Sequence, residues 1–302
     1  MITFDKLDKL DINSKPLHEI FQEYEDAHKR AKDPYIRDEA LKRLEDMKES
    51  VSRATEACSF SFSGMSGLDS LKLKNIMDEK EGTDRVLFSS LIMKVIYYAI
   101  AILEENQRMG KIVACPTAGS CGIVPACILA VSEHFKIGVK KQVSALITAG
   151  GIGSMISNEV GLAGAVAGCQ AECGVAASMA AGGVVCLLNG SNDEILSSAA
   201  LALKNVLGLV CDPIAGLVEV PCVKRNGFLA VHAMVAAQMS LAGIKSVVPL
   251  NEVVEAMKEI GAEMNSRFKE TSEGGLATTK TGIRIEEELK EKWTKLYSKD
   301  NL

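Results

Sequence analysis

Two stretches decide how this chain is organised: Gly168-Cys169-Gln170-Ala171-Glu172-Cys173-Gly174, and Cys211-Asp212-Pro213-Ile214-Ala215-Gly216-Leu217-Val218-Glu219-Val220-Pro221-Cys222. The second stretch is twelve residues long and has a cysteine at each end. Its Pro213, Gly216 and Pro221 do not fit together inside one regular helix. We therefore predict a shaped loop that begins and ends on a sulfur atom.

The cysteines in these stretches suit a metal centre. Thiolates are the soft ligands that iron–sulfur clusters and zinc select, and a loop lets Cys211 and Cys222 converge. Cys169 would add a third sulfur, and three thiolates on a four-iron cluster would leave one iron open as a Lewis acid. The alternative is that all three are small buried hydrophobic residues. Spacing alone leaves both readings open, because the chain contains no C-x-x-C pair.

Both stretches resemble the cluster-binding signature of the iron–sulfur L-serine dehydratases, in their alpha chain. The resemblance extends to three further motifs: Ser63-Gly64-Met65-Ser66-Gly67, Pro116-Thr117-Ala118-Gly119-Ser120-Cys121-Gly122-Ile123-Val124-Pro125-Ala126, and Glu270-Thr271-Ser272-Glu273-Gly274-Gly275-Leu276-Ala277. It implies a [4Fe-4S] cluster whose ligands are Cys169, Cys211 and Cys222. It also implies that the other cysteines are not ligands: Cys58, Cys115, Cys121, Cys127, Cys173 and Cys186.

Two loops are expected to bind the substrate. The resemblance implies this role for Ser63, Gly64 and Met65 in the first loop, and for Thr117, Ala118, Gly119, Ser120 and Gly122 in the second. Composition alone favours a plain linker for residues 58–67, and the resemblance reverses that preference; Ser120 could also serve only as a helix N-cap. A loop of small residues that leads into a helix N-terminus nevertheless offers amides and a helix dipole to a carboxylate.

The resemblance implies the activity of an L-serine ammonia-lyase. Elimination of water from L-serine gives aminoacrylate, which hydrolyses to ammonia and pyruvate, a starting compound for gluconeogenesis. An L-cysteine desulfidase, an L-threonine dehydratase with the same cluster and a non-catalytic helical interaction protein remain alternatives. No lysine stands in a Schiff-base motif, so we do not expect pyridoxal phosphate.

The sequence does not identify the base that removes the Cα proton. None of the four histidines lies in a matched motif, and the family's Ser-His-Thr motif belongs to its beta portion. We therefore expect a separate beta subunit, in an oligomer, to complete the site. Within this chain the first candidates are Glu172, Glu159 and His232.

Composition points to a globular protein with a small-molecule substrate. The chain has 302 residues, is 47% hydrophobic and carries a net charge of −5, which gives no general reason to bind nucleic acid or an anionic membrane. Nine cysteines without a cationic apolar leader predict the reducing cytoplasm. Residues 173–192 and 226–244 are long enough to span a membrane, but their many small residues favour buried helices and no membrane segment.

Hydrophobic periodicity predicts an all-α fold. Apolar residues recur at helical spacing over 85–109, and further helices are expected over 193–207, 228–241, 251–264 and 285–297. Residues 1–57 are predicted to form a charged layer of amphipathic helices. Residues 58–302 are predicted to form the iron–sulfur catalytic domain, with Gly/Ala/Ser-rich helices buried around the cluster.

Overall fold

The computed structural model describes residues 2–29, 35–57, 59–61, 63–78 and 85–299; Cys58, predicted not to be a ligand, lies outside them. The described residues form α-helices and no strand, apart from one parallel bridge between Cys211 and Lys269. The all-α prediction is therefore confirmed. The helices are α1 (Phe4–Leu7), α2 (Leu17–Lys29), α3 (Tyr35–Glu56), α4 (Asp69–Asp78), α5 (Ser90–Gln107), α6 (Ile123–His134), α7 (Val139–Ser157), α8 (Gly164–Ala167), α9 (Val175–Leu187), α10 (Asn192–Lys204), α11 (Cys222–Leu241), α12 (Leu250–Glu263) and α13 (Lys280–Lys299).

The centre of the molecule is α9, which packs against α6, α7, α10 and α11. Its glycines let neighbouring helices approach closely. A Cβ atom at Gly182 would lie 2.3 Å from the Ile152 side chain. Because α9 is fixed on all sides, the residues that lead into its N-terminus are held rigidly as well.

The segment Gln170–Leu187 is long and apolar enough to cross a bilayer, and no other described helix is. Within the protein, 94% of this segment is buried. A helix that is apolar all round and covered by neighbouring helices is also what the core of a globular protein contains.

The N-terminal helices α2 and α3 pack against α7. Phe21 and Leu44 are buried in the same apolar cluster as the central helices. The Asn192 side chain, at the start of α10, accepts a hydrogen bond from the Leu17 amide (2.8 Å) and donates to the Lys15 carbonyl oxygen (2.9 Å). The division of the chain at residue 57 stays a prediction.

Candidate metal centre

Three separate elements hold the cysteines that were predicted to be ligands. Cys169 precedes a π-helical turn (Gln170–Gly174) that continues into α9, Cys211 lies in the loop after α10, and Cys222 is the first residue of α11. Their exposed fractions are 1%, 2% and 4%. Burial raises the pKa of Cys211 and raises that of Cys222 to about 12, and the nearby Cys169 adds to both shifts. The three thiols are thus all buried and lie near enough for the charge of Cys169 to act on the other two. Their role as a ligand set stays a prediction.

The backbone around Cys169 depends on a glycine and a glutamine. Gly168 has a φ of +75°, and a Cβ atom there would lie 2.8 Å from the Leu209 carbonyl oxygen. The Gln170 amide donates to that same oxygen (3.0 Å), while its side-chain oxygen accepts from the Gly208 amide (2.8 Å). These contacts connect the Cys169 turn to the segment that leads from α10 to Cys211.

Gly164 makes room for the sulfur of Cys211. A Cβ atom at Gly164 would lie 2.7 Å from Cys211 Sγ and 3.3 Å from a carboxylate oxygen of Glu270. The Gly164 backbone therefore forms one wall of the thiol site.

Gly164→Ala is expected to displace Cys211 Sγ and lower the iron bound per chain after anaerobic reconstitution. Overpacking of this kind costs about 1–3 kcal/mol of unfolding free energy. Iron analysis and thermal unfolding measure the two effects. The control is Gly150→Ala on α7, where an added Cβ meets nothing within 4 Å. Equal iron content in both variants would contradict the assigned position of Cys211.

Cys173, which the sequence did not predict as a ligand, also reaches the site. The sulfurs of Cys169 and Cys173 and a carboxylate oxygen of Glu172 lie within 4.8 Å of one another. The Cys173 thiol donates to Cys169 and lowers its pKa against the opposing effect of burial, and the Arg225 guanidinium adds to the lowering. The contacts favour Cys169 as the thiolate and Cys173 as its hydrogen-bond donor.

The predicted carboxylate-binding loop lies against this group. Thr117 Oγ1 donates to the buried Glu172 carboxylate, and a Cβ atom at Gly119 would lie 2.6 Å from the same carboxylate. Ser120 Oγ donates to the Cys115 carbonyl oxygen (3.1 Å), so this hydroxyl shapes the loop. Residues Ala118–Ser120 form a short 3₁₀ turn just before α6.

Asn226 joins that loop to the Cys222 helix. Its amide group donates to the carbonyl oxygens of Gly119 (2.8 Å) and Cys222 (3.0 Å), and its side-chain oxygen accepts from the Gly122 amide (3.0 Å). Asn226 is fully buried. One side chain therefore fixes the predicted substrate loop relative to a predicted ligand.

The other predicted loop is held by a buried carboxylate. Glu219, within the Cys211–Cys222 loop, is 2% exposed. It accepts hydrogen bonds from the hydroxyls of Ser61, Ser63 and Ser66, the last at 2.6 Å. Three charge-assisted hydrogen bonds thus fasten the serine loop to the cysteine loop.

The hydroxyl of Ser63 is accordingly directed at Glu219, and it also accepts from the Met65 amide (3.0 Å). Gly64 has a φ of +86° and faces open space. The substrate-binding roles of Ser63, Gly64 and Met65 stay predictions.

Glu219→Gln is expected to lower the free energy of unfolding by about 2 kcal/mol, because hydrogen bonds to a charged acceptor contribute about 1.5–3 kcal/mol each. The looser serine loop is expected to leave iron binding intact. Urea unfolding and iron analysis measure these two effects. The control is Glu255→Gln, which removes the same charge from an exposed position on α12. An unchanged stability for Glu219→Gln would contradict the anchoring role.

A fourth segment, residues 268–277, closes over Cys211. The Cys211 amide donates to the Phe268 carbonyl oxygen (2.8 Å), and the Cys211 carbonyl oxygen accepts from the Glu270 amide (2.8 Å). Asp212 accepts from the Leu276 amide (2.8 Å) and pairs with Arg225 (3.4 Å). The two backbone hydrogen bonds to Cys211 place the half-buried Glu270 carboxylate at the rim of the thiol site.

The three candidate bases fall in different places. Glu172 lies in the site, where burial raises its pKa, the Thr117 hydroxyl opposes the rise, and Glu270 adds to it. Glu159 is exposed after the end of α7. His232 Nε2 lies 2.7 Å from the Ala202 carbonyl oxygen, and His232 is ten residues beyond Cys222, about 15 Å along the helix. Only Glu172 is brought to the sulfurs.

Sequence reasoning missed five residues of the site: Cys173, Glu219, Arg225, Asn226 and Glu270. Arg225 and Asn226 follow Cys222 by one helical turn, and that spacing was the available signal. Glu219 was visible as the single carboxylate in an otherwise apolar half of the cysteine loop.

The fold and the site together define an all-α protein with a buried, thiol-rich centre closed by small-residue loops. Residues 13–277 match the family described as serine dehydratase alpha chain. Because that match covers most of the chain, the chain belongs to this family.

Individual relatives agree with the family match. A probable L-serine dehydratase, alpha chain, of Bacillus subtilis (strain 168) is 42% identical over 246 residues, which are 82% of this chain and 80% of that protein. The L-serine dehydratase, alpha chain, of Peptoniphilus asaccharolyticus is 44% identical over 68% of this chain and 71% of that protein. L-serine dehydratase 1 of Escherichia coli (strain K12) is 44% identical over 60% of this chain, but over only 40% of that longer protein.

Proposed function

We propose that this chain is the alpha subunit of an L-serine dehydratase, which converts L-serine to pyruvate and ammonia. The observation that carries the proposal is the junction, through Asn226, of the 117–122 loop with Cys222, one of three buried cysteines predicted as ligands. The names of the relatives support the reaction. The alpha-chain names support a beta partner.

We further propose that Cys169, Cys211 and Cys222 hold a [4Fe-4S] cluster. The donor set fits, because it consists of three buried free thiols from three different elements. Buried thiolates need a cation to balance their charge, and a bound metal supplies one. When bound, such a cluster offers a Lewis-acidic iron that has no protein ligand, and this favours departure of the serine hydroxyl.

In this proposal the 117–122 loop receives the substrate carboxylate. The first amides of a helical turn have no acceptor within that turn, so those of Ala118 and Gly119 are the donors for an anion. Thr117 keeps Glu172 turned toward the sulfurs, and burial of the site excludes water. The substrate's Cβ hydroxyl is then directed at the sulfur neighbourhood.

The elimination removes the Cα proton and breaks the Cβ–O bond. The electron pair of the Cα–H bond forms the Cα=Cβ bond of aminoacrylate. The pair of the Cβ–O bond leaves with the hydroxyl, which takes up a proton to become water. Glu172 and Glu270 are carboxylates beside the sulfurs, and a third, Asp212, is engaged by Arg225; Glu172, whose pKa burial raises, is the candidate for holding a proton during this step. Water then hydrolyses the imine form to pyruvate and ammonia.

The test is anaerobic reconstitution of the chain with its beta partner, followed by assay of iron, sulfide and product. We expect a brown protein that forms pyruvate from L-serine faster than 2-oxobutyrate from L-threonine or sulfide from L-cysteine. Aeration with a chelator should remove the activity, and ferrous iron with thiol should restore it. A colourless, metal-free protein after reconstitution would favour the non-catalytic alternative. Full activity after aeration in chelator would contradict the cluster.

A further inference from the structure

A cavity of about 360 Å³ lies between the N-terminal helices α2 and α3 and the core helices α7 and α9. Its floor is apolar and includes Phe21, Met47, Leu146 and Ile147. None of the three proposed cluster ligands lines it. Small-molecule pockets have volumes of about 300–1,000 Å³, so this cavity suits a small ligand.

The rim of the cavity carries charges of both signs. Arg43 forms ion pairs on α3 with Glu39 (2.8 Å) and, more distantly, with Asp46 (3.9 Å), and its side chain stays 52% exposed. Glu25, on α2, accepts a hydrogen bond from Ser154 Oγ (3.4 Å). Two carboxylates and one guanidinium therefore stand above an apolar floor.

We propose that this cavity binds a free α-amino acid with an aliphatic side chain. The arrangement matches each part of such a molecule: Arg43 faces the carboxylate, Glu25 and Glu39 face the ammonium group, and the floor takes the hydrocarbon. The rim carries two carboxylates and one guanidinium. This surplus of negative charge favours a ligand with an ammonium group over a simple fatty acid.

The cavity is connected to the loop at the thiol site through Cys115. The Cys115 residue lines the cavity, its carbonyl oxygen accepts from Ser120 Oγ (3.1 Å), and its amide donates to the Thr117 carbonyl oxygen (3.2 Å). A ligand that packs against Cys115 therefore acts on both ends of the 117–120 turn. If the proposed dehydratase function holds, binding of a ligand in this cavity changes the KM for serine.

Gly150 allows the cavity to be filled without disturbing its walls. It lines the cavity from α7, and an added Cβ atom meets nothing within 4 Å. Gly150→Leu should place a side chain where the ligand's hydrocarbon would lie. Gly150→Ala is the matched control, because it leaves most of the space open.

Titration calorimetry on the full-length, anaerobically reconstituted chain tests the binding with L-valine, L-leucine and L-isoleucine. We expect at least one to bind, and 4-methylpentanoate and 3-methylbutylamine, which each lack one charged group, to bind about tenfold or more weakly. Gly150→Leu should abolish binding and Gly150→Ala should retain it. No binding by any of the three at millimolar concentrations, or binding unchanged by Gly150→Leu, would overturn the proposal.

Two further readouts test the polar contacts and the connection to the loop. Arg43→Ala and Glu25→Gln should each weaken amino-acid binding severalfold while leaving iron content unchanged. Hydrogen exchange of the amides over 113–122 should slow when the ligand binds, and should not respond in Gly150→Leu. Because none of these measurements uses serine turnover, failure of the dehydratase proposal would not produce the same result. An unaltered exchange pattern with a bound ligand would refute the connection to the loop.

Discussion

Cys211→Ala is expected to abolish iron–sulfur absorbance and serine turnover while the helix content stays unchanged. Cys211 Sγ is one of the three sulfurs proposed to hold the cluster, and the remaining two would leave a four-iron cluster with only two protein ligands. The backbone of Cys211 is held independently, by hydrogen bonds to Phe268 and Glu270. Loss of the sulfur should therefore remove the metal and spare the fold. The same outcome is expected for Cys169→Ala and Cys222→Ala, measured by visible absorbance, iron analysis and circular dichroism.

The controls are Cys121→Ala and Cys173→Ala, both at buried positions. Each should retain the cluster. Cys173→Ala is expected to shift the reduction potential as well, because hydrogen bonds to cluster sulfurs tune it and the Cys173 thiol donates to Cys169. Full iron and activity in Cys211→Ala, or loss of the cluster only in Cys173→Ala, would show that the ligands are assigned wrongly.

Local pattern predicted the helices well and their ends less well. The predicted helix over 85–109 is Ser90–Gln107, and the one over 251–264 is Leu250–Glu263. The largest difference is α11, predicted over 228–241 and observed as Cys222–Leu241. The helix continues through Gly227, which packs closely against Ile100, and a Cβ atom there would lie 3.1 Å from that side chain. Tertiary packing overrode a local signal.

The site was predictable only where a motif marks it. The resemblance named three cysteines, all of which the structure buries, and it did not anticipate that Cys173 would lie beside Cys169. It gave no role to Glu219 or Asn226, whose partners Ser61 and Gly119 lie 158 and 107 residues away in sequence. Spacing and composition could mark Glu219 and Asn226 as candidates, but only the folded chain identifies partners so far away in sequence.

The isolated chain is expected to bind a cluster but to convert serine slowly, with activity rising on titration with the beta subunit. Removal of a Cα proton needs a group within hydrogen-bond reach whose pKa is near the working pH, and histidine is the usual choice. Among the described residues, His232 is engaged with the Ala202 carbonyl oxygen. Glu172 is buried against Thr117. A general base contributes about 10²–10⁴-fold to rate, so the gain on adding the partner should be of that order.

Comparison of the isolated chain with the complex distinguishes the lack of a catalytic base from incorrect folding. Iron content and circular dichroism of the isolated chain should equal those of the chain in the complex, so that only the turnover number changes at saturation with the partner. Glu172→Gln and Glu270→Gln are then compared in the complex, with the exposed Glu255→Gln as control. If the isolated chain already turns over serine at the rate of the complex, the partner does not supply the base. Either Glu172→Gln or Glu270→Gln should in that case abolish the reaction, because both carboxylates lie beside the sulfurs and, unlike Asp212, neither is paired with Arg225.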